Sequence, residues 1–131
     1  MSWQAYVDSS LVGTGHIDKA AIISAAGDSE WATSAGFKLE ASEMKNIADI
    51  LSNTNGARDR ALAEGMHICK ERYVVTTADD NSIYARQGRS GICIAKSQQA
   101  ILVGHHNEQA IAGNAVAATG ALVDYLKPLG Y

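Results

Sequence analysis

The side chains of this chain that could act as nucleophiles, bases or ligands are scattered. His105 and His106 are adjacent with Glu108 close by, the one grouping that suggests a metal. Neighbouring residues of a strand point to opposite faces, so the two imidazoles do not converge on one ion from an extended backbone. The i, i+4 histidine spacing of a helical zinc motif is absent. They read as histidines at a strand end. His16 and His67 are isolated, and Cys69 and Cys93 stand in no metal-ligand spacing, each in or beside an apolar stretch where cysteine acts as a small hydrophobe. Ser9-Ser10 and Ser82 have no G-x-S-x-G frame and no local base. Gly13-Thr14-Gly15 resembles a piece of a phosphate loop but follows a helical pattern and precedes a strand, the reverse of a dinucleotide fingerprint. It reads as a helix stop and turn. Neither catalysis nor a cofactor is expected.

The aromatic residues say more. There are eight, and half of them fall in the first six and last seven positions: Trp3, Tyr6, Tyr125 and Tyr131. Trp3 and Tyr6 are i, i+3 neighbours on one helix face. If both terminal helices pack on the same sheet face, these four rings converge with Trp31 on one strip. Flat rings with polar edges suit a proline-rich ligand, because polyproline II is already extended and offers carbonyls to indole N–H and phenol O–H groups. The same periodicity also fits two aromatics that simply anchor a terminal helix in the core.

The elements that must position these rings follow from hydrophobic spacing. Trp3, Tyr6, Val7, Ser10 and Leu11 recur at helical intervals before Gly13 and Gly15. Ile17 to Ala25 is apolar and β-branched, Gly27-Asp28 is a turn, and Glu30 to Ala35 is a second strand carrying Trp31, together a hairpin. Met44, Ile47, Ala48 and Leu51 predict a helix from about Ser42 to Ser52, with Ser42 opening a capping pattern. Asn53 to Glu64 is polar and reads as a loop with at most one helical turn. Tyr73–Thr77, Ser82–Arg86, Ile92–Lys96 and Ala100–Gly104 then form short strands joined by tight turns, an antiparallel meander, and Met66 to Lys70 adds a strand at its start. From about Asn107 to Lys127 the chain is helical, with Ala115, Ala118, Thr119, Leu122 and Leu126 on one face. The expected fold is α+β: a central antiparallel sheet, the N- and C-terminal helices packed together on one face, and a shorter helix and loop on the other.

Composition bounds the rest. At 131 residues, with 47% hydrophobic and 19% charged, one compact domain over residues 1–131 is expected. A net charge of −3 argues against general nucleic-acid binding. The start, Met1 to Tyr6, has neither a basic nor an apolar signal region, so a cytosolic domain with reduced thiols is expected. Charge is uneven, for residues 58–96 hold seven of the eleven bases against five acids. A basic meander on an acidic protein favours an acidic protein partner, although lysine and arginine also protect a solvated sheet edge.

The opening Met1-Ser2-Trp3-Gln4-Ala5-Tyr6-Val7-Asp8, the Gly27-Asp28 turn followed by Trp31-Ala32-Thr33-Ser34, the run Asp79-Asp80-Asn81-Ser82-Ile83-Tyr84, and the closing Asp124-Tyr125-Leu126 and Gly130-Tyr131 resemble profilin, notably profilins of fungi and other simple eukaryotes. The likeness covers the whole chain. It implies a non-enzymatic, monomeric protein of the cytoplasm and cytoskeleton that binds monomeric actin, regulates its polymerisation, and links it to proline-rich partners such as actin assembly factors. It assigns proline binding to Trp3, Tyr6, Trp31, Tyr125, Leu126 and Tyr131, and actin binding to Arg72, Tyr84, Arg86, Lys96 and the Gly113-Asn114 stretch. It further implies help with nucleotide exchange on actin, and phosphoinositide binding, for which the C-terminal region offers few bases beyond Lys127. The alternative is a small α+β ligand-sensing or metal-binding domain using the His105–Glu108 region.

The departures from the family pattern fall on the actin side. Thr77, Asn81 and Gln98 stand where related sequences often carry a base, and His105-His106-Asn107-Glu108 lacks the usual tyrosine–proline pattern. The stretch Asn53–Glu64 has lost its familiar prolines, and Cys69-Lys70-Glu71 replaces a glycine-rich turn. Exposed rim charges are worth fractions of a kcal/mol each. Actin binding is therefore expected to survive but to be weaker than is typical of the family.

Overall fold

The computed structural model describes residues 3–34, 37, 39–107 and 112–131. Among these, seven strands are formed: β1 (Lys19–Ser24), β2 (Glu30–Thr33), β3 (Met66–Ile68), β4 (Glu71–Ala78), β5 (Ser82–Gln87), β6 (Ser90–Lys96) and β7 (Ala100–His106). They pair antiparallel throughout, in the order β2-β1-β7-β6-β5-β4-β3. The hairpin and the meander are those the sequence predicts, and Met66–Ile68 does add a strand. What the linear pattern leaves open is the join between them. β1 pairs with β7 from Lys19↔His105 to Ser24↔Ala100, which sets the N-terminal hairpin beside the last strand.

Each face of the sheet carries its own core. On one, Ile47, Ile50 and Leu51 of α2 (Ala41–Ser52) and Ala57 and Ala61 of α3 (Ala57–Glu64) pack on Ile23, Ile83, Ile94 and Ile101. On the other, the N-terminal segment (Val7, Leu11) and α4 (Ala112–Leu126; Ala115, Leu122, Leu126) cover Ile17, Ile22, Cys93 and Leu102. Each large aliphatic side chain fully withdrawn from water contributes about 1.5–3 kcal/mol. The two terminal helices thus share one face, as expected. Gly104 permits the close approach: a Cβ there would lie 3.1 Å from Ile17 and 3.2 Å from the Thr119 hydroxyl. Gly27, in the left-handed region at φ +74°, lets the β1–β2 turn rest on α2, where a Cβ would stand 2.5 Å from the Met44 carbonyl oxygen.

Three local expectations are corrected. The N-terminal segment is not one regular helix but α1 (Trp3–Ala5), a π-helical turn (Tyr6–Leu11) and a 3-10 turn (Val12–Thr14) ending at Gly15 with φ +80°. The wider π register buries Tyr6, Val7 and Leu11 together. The polar stretch after Asn53 is largely helical, since a 3-10 turn (Thr54–Gly56) leads into the two turns of α3. Arg58 fixes it in place: its guanidinium donates to the Ile50 carbonyl (3.3 Å) and the Leu51 carbonyl (2.9 Å) at the end of α2 and to Asp80 (2.6 Å). Finally, α2 is capped by Glu40, not Ser42. Glu40 and Glu43 close a reciprocal capping box, in which the Glu40 N–H donates to the Glu43 carboxylate at 3.0 Å. The helical reading from Asn107 has α4 as its described part; residues 108–111 lie outside the described residues.

The same Glu43 carboxylate, buried at 5% exposure, also accepts the N–H groups of Cys69 (2.9 Å) and Lys70 (2.7 Å). Those two residues form the β3–β4 turn with φ of +52° and +69°, left-handed backbone that side chains other than glycine adopt at a cost. One acidic side chain therefore caps α2 and holds the hairpin that starts β4.

Candidate functional site

The rings named from the two chain ends converge. The Trp3 ring centroid lies 4.8 Å from that of Trp31, 5.2 Å from Tyr131 and 5.6 Å from Tyr6, and Tyr6 lies 6.2 Å from Tyr125. Most of these pairs are edge-to-face, the arrangement that aromatic quadrupoles favour. Trp3, Tyr6, Tyr125, Leu129 and Tyr131 line an open cleft of about 350 Å³. Tyr125 and Tyr131 are 56% and 43% exposed, so their rings stand in water and are free to receive a ligand. Tyr6, at 7%, forms the floor. Burial foremost, with Tyr125 nearby, holds the Tyr6 hydroxyl above the ordinary phenol range. Leu126 is fully buried in the core on which Trp3 and Trp31 pack, and it supports the rings without reaching the surface.

Hydrogen bonds from distant elements set the rings. The Gln4 side-chain amide donates to the Thr33 carbonyl (2.8 Å) and ties Trp3's segment to the strand that carries Trp31. At the other end, the β6–β7 turn clasps the last residues. The Ser97 hydroxyl (2.6 Å) and the Gln99 backbone N–H both donate to the Tyr131 main-chain oxygen. The Gln99 amide donates to the Gly130 carbonyl (2.9 Å) and that of Gln98 to the Lys127 carbonyl (3.1 Å). Neither these straps nor Leu129 was identified from sequence. Leu129 carries the only prior signal, an apolar residue between Tyr125 and Tyr131; the polar straps are unremarkable in linear order.

A second assembly lies on the same sheet face beyond α4. Register places His106, Gly91, Arg86 and Val74 in one row across β7, β6, β5 and β4. Tyr84 and Arg72 alternate onto the same face as Arg86 and Val74. Arg72, Val74 and Arg86 are exposed, Val74 at 53%, and Tyr84 is half-exposed. Exposed Gly113 and Asn114 stand in the first turn of α4, the next described element after β7. Lys96 stands apart. It pairs with Ile101 and alternates with Ile94, whose face is the α2 side of the sheet. Val74 was not identified from sequence, and its outward alternation on β4 was the signal available.

The histidine grouping does not assemble into a ligand set. His105 Nδ1 lies 2.6 Å from the Asp18 carboxylate, with the Phe37 and Tyr73 rings 6.3 Å away, while His106 is buried on the opposite face. Glu108 lies outside the described residues. Among the described residues, no His, Cys, Asp or Glu group is placed to hold an ion, and no helix is long and apolar enough to cross a membrane.

Comparison with known proteins settles the family. The family model described as Profilin matches residues 1–131. The chain belongs to the profilin family. The profilin of Schizosaccharomyces pombe is 43% identical over 133 residues, covering all of both chains, and Profilin-A of Physarum polycephalum is 42% identical over the same span. A solved S. pombe profilin structure superposes with a TM-score of 0.92 at 42% identity, over 99% of this chain and 100% of that one. Mouse profilin IIa, in complex with a double repeat from the FH1 domain of mDia1, shares the fold at a TM-score of 0.78 and 17% identity, with complete coverage of both chains. Profilins are non-enzymatic actin-binding proteins that regulate actin polymerisation.

Proposed function

We propose that this profilin acts as a monomeric, single-domain adaptor of the cytoplasm and cytoskeleton, holding an actin monomer on one surface and a proline-rich partner on another. The observation that carries the reading is the gathering of Trp3, Tyr6, Tyr125 and Tyr131 from opposite ends of the chain around one open cleft, with Trp31 packed against Trp3. Rings that served only the core would not leave Tyr125 and Tyr131 half in water. A polyproline II segment lays its pyrrolidine rings against such a surface at little entropic cost, and the indole and phenol donors meet its unpaired carbonyls. Leu126 and Trp31 serve as support from below and from the side. The FH1 repeat bound to mouse profilin IIa adds support from the shared fold.

Actin is assigned to Arg72, Tyr84 and Arg86 around exposed Val74, with Gly113 and Asn114 at the start of α4. An apolar centre rimmed by cations fits an acidic protein surface. Lys96, on the other alternation, contributes least. Lys127 is the one base among residues 97–131, so an anionic phosphoinositide headgroup meets little charge near the groove.

The test is a polyproline titration followed by tryptophan fluorescence. Trp3 and Trp31 are the chain's two tryptophans, so the signal reports on the groove itself. Trp3→Ala is expected to cost about 2 kcal/mol of binding, roughly a thirtyfold rise in Kd. No change at millimolar ligand with the fold intact by circular dichroism overturns the proline-binding half of the proposal.

A further inference from the structure

The turn between β6 and β7, residues 97–99, is bonded to two segments that carry rings of the aromatic cluster. The carbonyl oxygens of Lys127, Gly130 and Tyr131 all accept hydrogen bonds from it. In the other direction the Gln99 carbonyl accepts the N–H of Ala25 (2.9 Å), at the head of the β1–β2 turn that leads into the strand carrying Trp31. We propose that Ser97 and Gln99 are positioning residues for proline binding, which hold Tyr131 against Trp3 in the ligand-free protein so that the groove is formed before a ligand arrives. The inference rests on the groove reading above.

Three observations carry it. First, burial does little to hold the tail. After Leu126 the chain makes a single 3-10 turn (Lys127–Leu129), and Leu129 and Tyr131 remain 52% and 43% exposed. The N–H groups of Gly130 and Tyr131 bond back to the Lys127 (3.1 Å) and Leu126 (3.2 Å) carbonyls, which closes the turn without tying it to another element. A segment so exposed is ordered only where something fastens it. Secondly, the fastening is partly out of water. Ser97 is 7% exposed, and its hydroxyl donates to the Tyr131 main-chain oxygen at 2.6 Å, with the Ala100 carbonyl 3.3 Å away. Water replaces such a bond less readily than the exposed amide bonds of Gln98 and Gln99. Thirdly, Gln99 is gripped from both sides. Its carbonyl is fixed on the hairpin, while its N–H and its side-chain amide (2.9 Å to the Gly130 carbonyl) are fixed on the tail. One residue thus sets the hairpin relative to the tail, and the Trp3 ring packs against a ring from each, 4.8 Å from Trp31 and 5.2 Å from Tyr131. A ligand that meets rings already in place loses less entropy on binding.

The experiment is a double-mutant cycle between the turn and the ring it holds, with a proline decamer titrated into the whole protein and tryptophan fluorescence as readout. Ser97→Ala combined with Gln99→Ala is expected to weaken decamer binding about tenfold, the effect of leaving one large side chain to be ordered by the ligand. Tyr131→Ala removes the ring and keeps the main-chain oxygen, so the same pair added to it is expected to cost less than about twofold. A role in stability alone would cost as much in either background. Acrylamide quenching of tryptophan fluorescence reads the same cycle without ligand: the pair is expected to raise quenching toward the level of Tyr131→Ala and to add nothing to it. If the pair does not fold, Ser97→Ala alone decides, with about a threefold loss expected and the same cycle. Wild-type affinity in the folded variant, or an equal loss in both backgrounds, overturns the inference and leaves the groove standing. Failure of the wild-type protein to bind the decamer overturns the groove itself, and this inference with it.

Discussion

Replacing Glu43 by alanine tests whether one buried carboxylate joins two parts of the fold. It accepts three backbone N–H groups, those of Glu40, Cys69 and Lys70, at 2.7 to 3.0 Å. Hydrogen bonds to a charged acceptor contribute about 1.5–3 kcal/mol each. The N–H of exposed Lys70 can rehydrate once released, and that of Cys69 only partly, so the expected loss is about 3 kcal/mol rather than the full sum. Against a total stability of roughly 5–15 kcal/mol this is a large fraction. Glu43→Gln keeps one carbonyl oxygen as acceptor but turns an amide N–H toward one of the donors, and is expected to lose about 2 kcal/mol. Urea unfolding followed by far-UV circular dichroism measures both, with the midpoint falling in the order wild type, Gln, Ala. Because the carboxylate fixes the turn that starts β4, the alanine variant is also expected to bind actin less tightly through Arg72 and Val74. A loss below 1 kcal/mol for Glu43→Ala would refute the clamp.

Three further outcomes follow from the same structure. Lys70→Gly removes a side chain from a φ of +69° and forfeits only an exposed 3.5 Å ion pair to Glu40, so it is expected to raise stability by about 0.5–1 kcal/mol in urea. Arg86→Glu reverses a charge in the middle of the basic patch and is expected to slow association with actin monomers and weaken it about tenfold, read by stopped flow, with proline-peptide affinity unchanged. The Asp79 carboxylate accepts the N–H of Asn81 (2.8 Å), then the N–H (2.8 Å) and hydroxyl (3.2 Å) of Ser82, which hold it below its ordinary 3.8. Its contribution is therefore complete above pH 3.8 and lost as pH falls through the lower folded value. Asp79→Ala is expected to cost about 1 kcal/mol at pH 6, with the gap to wild type closing on acidification below 3.8.

Much of this fold is legible in the sequence because its strands are short, alternating and divided by turn residues, so neighbours in the chain become neighbours in the sheet. The elements that were misread lack that local logic. Half of α3 is charged and Ala57 and Ala61 are its buried residues, and it is held by Arg58 reaching back to α2, a contact that no periodicity announces. The π turn keeps apolar residues in order while changing their spacing, so Tyr6 and Leu11 fit an ordinary helix on paper. Glu40 is a poor cap by residue type and works because Glu43 answers it. In the groove, the rings were identifiable as residue types concentrated at the chain ends. Their meeting depends on β1 pairing with β7 and on the Gln4, Ser97 and Gln99 bonds, none of which has a sequence signature. Lys96 shows the converse, since only a fixed register reveals that its side chain leaves the face carrying Arg86.

The fifteen residues of α4 run from Ala112, just ahead of Gly113 and Asn114, to Leu126, just past Tyr125. At 1.5 Å per residue that is a rod of roughly 22 Å. Two cargoes gripped at its ends would ride at a fixed spacing, neither crowding the other out. Lengthening the rod by a turn would swing the tail rings away from Trp3 and open the groove while the basic row stayed whole, so its length is a built-in ruler.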